Sequence, residues 1–297
     1  MNQTSMVGGP RVLAFGNNLC GNLQHGGPPI LKKPTEVKYE CDTVEWASWT
    51  CTIGRDPLQI WGSDPLILND IPAKISLAHT AKRVIGFDQP AAFLLKDGRV
   101  QHKQGRVSAD AYDEVVVTGL GTVYACKSTY NSRRLSITMQ DDQLFRFESL
   151  EDLMQGTNRF GLVEGFPHCA TTKQLVATES RAFILVNGPA PLLYEIKDVR
   201  SLPPKSTKST DPVILQYVTG FEVAGKLALV PGCGNRLGVV TELGEAYILP
   251  PTRERELILF DDEDVRLMGL GVDSEIVVTD RNIYVRGSSE CTSTSGS

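Results

Sequence analysis

Residues 237–249, LGVVTELGEAYIL, decide the fold of this chain. Leu237–Thr241 is a short apolar run, Glu242-Leu243-Gly244 has the composition of a tight turn, and Glu245–Leu249 is a second run that carries an aromatic residue. Short runs rich in β-branched residues and bounded by turn residues are typical of strands. Glycine supplies the positive φ angle that a tight hairpin needs. The stretch therefore predicts a β-hairpin.

The same unit recurs along the sequence. Clear copies begin at Thr50, Ala92 and Ile276, and weaker copies end near Phe147 and Ile196. The ends of the units follow one another at a mean spacing of roughly 45 residues, and a near-constant period of this size with hairpin content is typical of β-propeller blades. A β-sandwich or a pair of barrels is the alternative, because any β-rich chain contains hairpins at intervals of this order.

The opening strand, Val12–Gly16, matches only the second half of the unit. Because ring closure removes exposed sheet edges, we expect the segment around Leu13 to pair with the segment around Tyr284. The expected fold is all-β: a single β-propeller closed by the N-terminal strand, with seven blades favoured and six as the alternative. We expect the chain to divide into a flexible N-terminus at 1–10, the propeller at 11–287 and a polar C-terminal tail at 288–297.

Helical segments are few, because no part of the sequence sustains a helical apolar stripe over a dozen residues. We expect one helical turn at Glu151–Gln155 and two turns at Arg253–Phe260. The rest of the chain is predicted to be strand, turn and loop.

The composition excludes several classes of protein. The chain has 297 residues, of which 41% are apolar and 22% charged, and its formal net charge is −5. An acidic chain without a basic face or tail is not expected to bind nucleic acid, and no apolar run reaches the length of about 18 residues that suggests a membrane span. Seven cysteines at irregular spacing indicate reduced thiols, and only four histidines limit metal and general-base chemistry. We expect a cytoplasmic protein, with the nucleus as a second compartment.

The repeat unit has a more specific form than a hairpin. Residues 15–23, FGNNLCGNL, resemble the "WGSNxxGQLG" signature of the regulator of chromosome condensation repeat family, and residues 60–64, IWGSD, resemble its start. Residues 227–249 and 265–287 are similar to complete repeats of that family, whereas residues 106–173 depart most from the pattern. The repeat units follow one another at a regular spacing over the whole chain. The resemblance implies a single propeller that binds other proteins.

The resemblance leaves three functional groups to choose from. One is a nuclear exchange factor for a small GTPase that docks on nucleosomes, and another comprises propellers attached to ubiquitin ligases or kinases. The third is the short, single-propeller, alpha-tubulin-suppressor-like branch, whose members partner a small zinc-ribbon protein in diphthamide synthesis and in Elongator-dependent modification of the tRNA wobble uridine. Length, charge and the opening strand favour this branch. The resemblance therefore implies a non-enzymatic scaffold that is a monomer before complex formation and needs no cofactor.

Two alternatives from other classes stay open. The first is a guanine-nucleotide exchange factor for a small GTPase. The second is a propeller hydrolase or lyase, which would need carboxylates such as Asp88, Asp273 and Glu275 to converge at the central opening of the ring.

Candidate partner contacts are taken from the repeat template. The loop between the first two strands of each unit faces the central opening of the ring, where propellers usually bind their ligands. Six residues occupy this loop and are the predicted partner-binding set: Trp49, Asp88, Asn235, Arg236, Asp273 and Glu275. No catalytic, cofactor-binding or metal-binding residue is predicted.

Other short motifs are interpreted as structural. The pair His168-Cys169 lacks the further ligands that a zinc site needs, and Cys20 and Cys233 are interpreted as loop cysteines. A strand rather than a helix is predicted after Gly119-Leu120-Gly121-Thr122, so this segment is not a phosphate loop. The acidic run 261–264 is interpreted as a solvent-exposed connection between blades. The alternative is that it attracts the basic surface of a partner.

Overall fold

The structure is a computed structural model, and it divides into two compact units, Met1–Ala111 and Tyr112–Ser297, which are described in turn. The described residues are 12–39, 41, 43–48, 50–55, 59–63, 80–129, 141–157, 159–160, 172–187, 190–198, 213–251, 255–258, 263–271 and 274–287. The predicted flexible N-terminus and the predicted polar tail both lie outside them.

Within the described residues, the first unit contains three antiparallel sheets and the second contains four, and all are numbered in chain order. Sheet 1 has two strands, sheet 2 has three and sheet 3 has four, and in each sheet the strands are neighbours in chain order. Their bounds are β1 (Val12–Asn17) and β2 (Ile30–Val37) in sheet 1; β3 (Thr43–Ala47), β4 (Cys51–Arg55) and β5 (Gln59–Gly62) in sheet 2; and β6 (Ala81–Gly86), β7 (Pro90–Leu95), β8 (Arg99–His102) and β9 (Val107–Ala111) in sheet 3.

The segment that carries the family signature is a loop held by its asparagines. The Asn18 side chain is buried, and its Oδ1 accepts hydrogen bonds from the backbone N–H groups of Leu23 and Gln24, both at 2.9 Å. The Asn22 side chain donates to the carbonyl oxygen of Ser48 at 2.8 Å, which ties this loop of sheet 1 to sheet 2. Both asparagines therefore stabilise the fold.

The second unit contains four antiparallel sheets. Sheets 4, 5 and 6 have four strands each, and sheet 7 has three. The bounds are β10 (Glu114–Val117), β11 (Val123–Thr129), β12 (Asp141–Phe147) and β13 (Arg159–Phe160) in sheet 4; β14 (Thr172–Ala177), β15 (Ala182–Asn187), β16 (Leu192–Asp198) and β17 (Val213–Tyr217) in sheet 5; β18 (Leu227–Pro231), β19 (Leu237–Thr241), β20 (Ala246–Leu249) and β21 (Glu256–Ile258) in sheet 6; and β22 (Val265–Leu270), β23 (Ser274–Thr279) and β24 (Ile283–Gly287) in sheet 7.

Consecutive sheets of the second unit pack face to face, as the blades of a propeller do. Each pair shares one apolar cluster with contributions from both sheets. Representative members are Val116, Tyr124, Leu175 and Ile184 between sheets 4 and 5; Phe183, Leu185, Leu237 and Val239 between sheets 5 and 6; and Val240, Ile248, Met268 and Val277 between sheets 6 and 7.

The stretch that opened the sequence analysis forms the predicted hairpin. β19 and β20 are antiparallel neighbours, and the turn between them is closed by a hydrogen bond from Gly244 N to Thr241 O at 3.1 Å. Gly244 has a φ of 83°, a conformation that favours glycine. An added Cβ there would lie 2.6 Å from the Asp264 side chain, so the position also lacks space for one.

The predicted helical turn at 151–155 is confirmed as α1 (Leu150–Gln155). Its start is capped by the Ser149 hydroxyl, which accepts a hydrogen bond from Asp152 N at 3.2 Å, and its end by Gly156 in the left-handed region. No helix among the described residues has the length and the apolar content that crossing a bilayer requires.

The second predicted helix, Arg253–Phe260, is wrong. Glu256–Ile258 is the fourth strand of sheet 6, and it pairs antiparallel with β20. The reason is tertiary: Ile258 is buried in the cluster between sheets 6 and 7, and this burial outweighs the weak local helical preference.

The all-β class and the succession of antiparallel sheets are confirmed, whereas ring closure is not. Among the described residues, the strand around Leu13 pairs with β2, and the strand around Tyr284 pairs with β23. Closure and the number of blades stay predictions.

Candidate protein-interaction surface

The turns between the first and second strands of sheets 4, 5 and 6 form a hydrogen-bonded row along one edge of the second unit. We call these turns, residues 118–122, 178–181 and 232–236, the first-turn row. Leu120 N donates to Glu179 O at 2.9 Å, and Glu179 N donates to Gly234 O at 2.8 Å. The backbone of each turn is therefore fixed by the turn that follows it.

The row presents an apolar side chain next to polar ones. Leu120 is 71% exposed, and Glu179, Ser180 and Cys233 are exposed on the neighbouring turns. The Leu120 turn is rigid because Gly121 N donates to Thr118 O at 2.9 Å. A single exposed leucine is common on protein surfaces, but here it lies on a preformed and continuous edge.

Asn235 joins sheet 6 to sheet 5. Its Oδ1 accepts hydrogen bonds from Ser180 N at 2.7 Å and from the Ser180 hydroxyl at 2.8 Å. The Thr178 hydroxyl lies 3.3 Å from the same oxygen. The side chain thus satisfies the donors of the neighbouring turn.

Arg181 forms the main polar contact between sheets 5 and 6. Its Nε and Nη2 bind the two carboxylate oxygens of Glu195, at 2.8 and 3.2 Å. Its Nη1 crosses to sheet 6, where it donates to Asn235 O at 2.9 Å and to Leu249 O at 3.1 Å. Because the pair is largely buried and bidentate, it is a stronger contact than a surface ion pair.

Burial and two cations act against each other on Glu195. Removal from water raises the pKa of this carboxyl, but hydrogen bonds from Arg181 and from Lys197, whose Nζ lies 2.6 Å away, lower it by more. The pKa of Glu195 therefore lies below its ordinary value, and the side chain is ionised at neutral pH.

A second group of charges connects sheets 6 and 7. Arg236 forms an ion pair with Glu275 and donates from Nη1 to Gly271 O at 3.2 Å. Glu275 Oε2 also lies 2.7 Å from Arg286 Nε, close enough for an ion pair but not aligned as a hydrogen bond. Arg286 in turn pairs with Glu256. Hydrogen bonding to Glu256, together with the charge of Glu275, raises the pKa of Arg286.

The structure brings together three of the six predicted contact residues. Asn235 and Arg236 lie in the predicted turn, whereas Glu275 lies in strand β23 and not in the loop before it; it reaches Arg236 because β23 packs beside sheet 6. Asp88 is exposed in the turn between β6 and β7 of the first unit. Trp49 and Asp273 lie outside the described residues, and partner binding by all six stays a prediction.

Sequence reasoning missed Arg181 and Glu195. Arg181 directly precedes the second strand of its sheet, just as Arg236 does. Aligning the repeats on that strand would have placed the two arginines at the same position. Glu195 carried no such signal, because Phe183 lies opposite it in the sheet and its partner Arg181 reaches it diagonally, from two residues before Phe183.

Several of the short motifs that the sequence analysis interprets as structural lie within the described residues. A strand follows Gly119-Leu120-Gly121-Thr122, so no helix N-terminus is present there. Cys20 and Cys233 lie in loops. His168, Cys169, Asp261 and Asp262 lie outside the described residues. Within the described ranges, no three metal-binding side chains are grouped together.

Comparison with known proteins gives structural matches only. No protein-family model and no curated protein matches the sequence. A structure of human WBSCR16 is similar at 14% identity and a TM-score of 0.43, over 93% of this chain and 87% of that chain. Prp20p from Saccharomyces cerevisiae, described with its binding to Gsp1p and histones, is similar at 14% identity and a TM-score of 0.36, over 91% of this chain and 64% of that chain.

A third similar structure is yeast RCC1 (Prp20) bound to Kap60, at 14% identity and a TM-score of 0.34, over 88% of this chain and 60% of that chain. The structural neighbours thus include RCC1, from the family that the repeat signature resembles.

Proposed function

We propose that this chain is a non-enzymatic, protein-binding scaffold that docks its partner on the first-turn row. The observation that carries the proposal is the hydrogen bonding of each first turn to the next, which fixes a continuous edge before any partner arrives. A preformed surface loses little conformational entropy on binding, so even modest contacts give useful affinity.

The chemistry of the row suits a protein partner. An exposed leucine, an exposed carboxylate and several short polar groups lie side by side on it. This mixture of an apolar anchor and polar surroundings is typical of interface centres and their rims.

The test is affinity capture from the native cell with the full chain as bait, read by mass spectrometry. The matched baits are Leu120→Asp on the row and Leu243→Asp, which changes a leucine of similar exposure in the turn between β19 and β20. A partner retained by the wild type and by Leu243→Asp, but lost by Leu120→Asp, supports the proposal. A partner retained equally by all three baits overturns docking on the row.

The identity of the partner is a finer part of the proposal. The sequence resemblance to the short, single-propeller branch supports a small zinc-ribbon protein, and with it a role in diphthamide synthesis and Elongator-dependent tRNA modification. Recovery of such a protein in the capture supports this assignment. Recovery of a small GTPase instead, with accelerated nucleotide release in a direct assay, favours the exchange factor and rejects the zinc-ribbon assignment.

A further inference from the structure

The side chain of Arg255 lies against two aromatic rings of the second unit. Its Cζ is 5.2 Å from the ring centre of Tyr247 and 5.4 Å from that of Phe221. The two rings contact each other edge to face, with their centroids 5.2 Å apart and their planes at 88°. A cation within about 6 Å of an aromatic ring is attracted by its π electrons. The two rings therefore form two walls of a cage around the guanidinium.

Backbone oxygens form a third side of this cage. Arg255 Nη1 donates hydrogen bonds to the carbonyl oxygen of Gly220 at 2.9 Å and to that of Thr219 at 3.3 Å. Gly220 has a φ of 90°, and a Cβ at this position would overlap the guanidinium. The glycine thus turns the chain and also leaves the space that the cation occupies.

A carboxylate next to the cage adds negative charge. Glu222 accepts hydrogen bonds from Gly220 N, at 2.9 and 3.0 Å, and from the Tyr217 hydroxyl at 2.9 Å. The hydrogen bonding from Gly220 lowers the pKa of Glu222, and the charge of Arg255 lowers it further, so the side chain is ionised at neutral pH. Because its hydrogen bonds do not involve Arg255, the carboxylate is held in place without that side chain.

The walls of the cage belong to the core of the fold, whereas the cation does not. Phe221 is 1% exposed in the cluster between sheets 5 and 6, and Tyr247 packs against the same cluster. The Tyr247 hydroxyl donates to Glu245 at 2.9 Å, which fixes the ring further. Arg255 is exposed and is the residue before β21. The cage is therefore preformed, and its occupant is the end of a long side chain.

We infer that the two rings and the backbone at 219–222 form a binding site for an arginine side chain, in which Arg255 is an internal ligand. The chemistry of the ligand follows from the group that fills the site, a planar cation that faces aromatic rings and donates to carbonyl oxygens. An ammonium group fits it less well, because it is compact and more strongly hydrated. An arginine of a binding partner would take the site in exchange for Arg255. The site uses no residue of the first-turn row, so it goes beyond the proposed docking surface.

The test titrates Arg255→Ala, in the full chain, with N-acetylarginine amide and follows the probe by NMR. The δ-methylene protons of the probe are expected to shift upfield on binding, because they then lie over aromatic rings. The wild type should bind the probe at least about tenfold more weakly, since Arg255 competes from the same chain at a high effective concentration. N-acetyllysine amide should bind Arg255→Ala more weakly than the arginine probe does.

Arg266→Ala is the matched control, because it removes an exposed arginine that pairs with Asp264, and it should bind the probe like the wild type. Arg255→Ala/Tyr247→Leu lacks one wall of the cage and should bind the probe more weakly than Arg255→Ala. If circular dichroism shows that Arg255→Ala does not fold, Arg255→Lys replaces it and should bind the probe more tightly than the wild type. A folded Arg255 variant that does not bind the probe overturns the inference, and so does equal binding by variant and wild type.

Discussion

The seam between sheets 5 and 6 and the seam between sheets 6 and 7 use different chemistry. The first contains two fully buried phenylalanines, Phe183 and Phe221, and a largely buried arginine, Arg181, which donates two hydrogen bonds to Glu195 and two to carbonyl oxygens. The second is aliphatic, and it is bordered by ion pairs that end on Arg286, a side chain 56% exposed. Sheet 6 belongs to both seams, because one of its faces packs on sheet 5 and the other on sheet 7.

This difference shows that neighbouring repeat units can be joined by different kinds of interaction. In the 5/6 seam, polar groups are inside and their loss leaves buried atoms without partners, which is costly. In the 6/7 seam, the buried carboxylate of Glu275 has two arginine partners, Arg236 and the more exposed Arg286, so the loss of one partner leaves the other in place. We therefore expect substitutions of equal size to have unequal effects in the two seams.

The largest expected effect comes from the aromatic core of the 5/6 seam. Phe183→Ala should lower the free energy of unfolding by about 3–5 kcal/mol, because it removes a fully buried ring and leaves a cavity. Met268→Ala in the 6/7 seam should cost about 2 kcal/mol, because losing an unbranched side chain leaves a smaller cavity than losing a ring does. Urea unfolding followed by circular dichroism measures both. Equal losses would show that the two seams are packed alike.

The next effect concerns the arginines. Arg181→Met should cost about 2–3 kcal/mol, since it removes a donor from the Asn235 and Leu249 carbonyl oxygens and the bidentate partner of Glu195. Arg236→Met should cost about 1 kcal/mol, because Glu275 keeps Arg286. The same unfolding experiment compares them, and a double-mutant cycle of Arg181→Met with Glu195→Gln isolates the pair. A coupling energy near zero would contradict a special role for the buried pair.

A pH titration sharpens the comparison further. The folded-state pKa of Glu195 is depressed, so its contribution is present above the pKa of the unfolded chain and is lost as the pH falls through the folded value. The free energy of unfolding should therefore decrease below about pH 4.5, the ordinary glutamate value. Glu195→Gln should flatten that part of the curve. An identical slope in the wild type and Glu195→Gln would disprove the assignment.

The smallest expected effect is at the rim. Arg286→Gln should cost less than about 1 kcal/mol, since Arg286 and its partner Glu256 are both about half exposed and Glu275 keeps Arg236. Screening at about 1 M salt should remove most of that difference, because the Debye length is then only about 3 Å. Unfolding midpoints of wild type and variant at low and high salt test this. A difference that persists at high salt would show that the Arg286 guanidinium is shielded from ions in the solvent.

Local signals in the sequence were sufficient for the hairpins. The run predicted at 237–241 is β19 with the same bounds, and the run predicted at 283–287 is β24. Both are delimited by turns whose residues act within a few positions, and so their chemistry is readable from the sequence alone. The local sequence of β21 favours a helix. Its strand conformation comes from pairing with β20, a contact that the segment itself does not encode.

The candidate surface was predictable only in part. Placing Asn235 and Arg236 in a first turn follows from the hairpin pattern, but the partners of their side chains come from sheets encoded some 40–55 residues away. Such contacts depend on how sheets stack, which the spacing of a repeat does not specify. Arg181 was missed for the same reason.

The backbone bonds of the first-turn row all run in one direction. The amides of Leu120, Glu179 and Cys233 donate to carbonyl oxygens of the next sheet along the chain, on Glu179, Gly234 and Leu270. During synthesis on the ribosome, sheets 4, 5 and 6 are therefore made before the carbonyl oxygens to which their first-turn amides donate, and those amides bond to water until then. The sheets are made in the same order in which their first turns become hydrogen-bonded. The first-turn amides of sheet 4 stay hydrated until sheet 5 has formed.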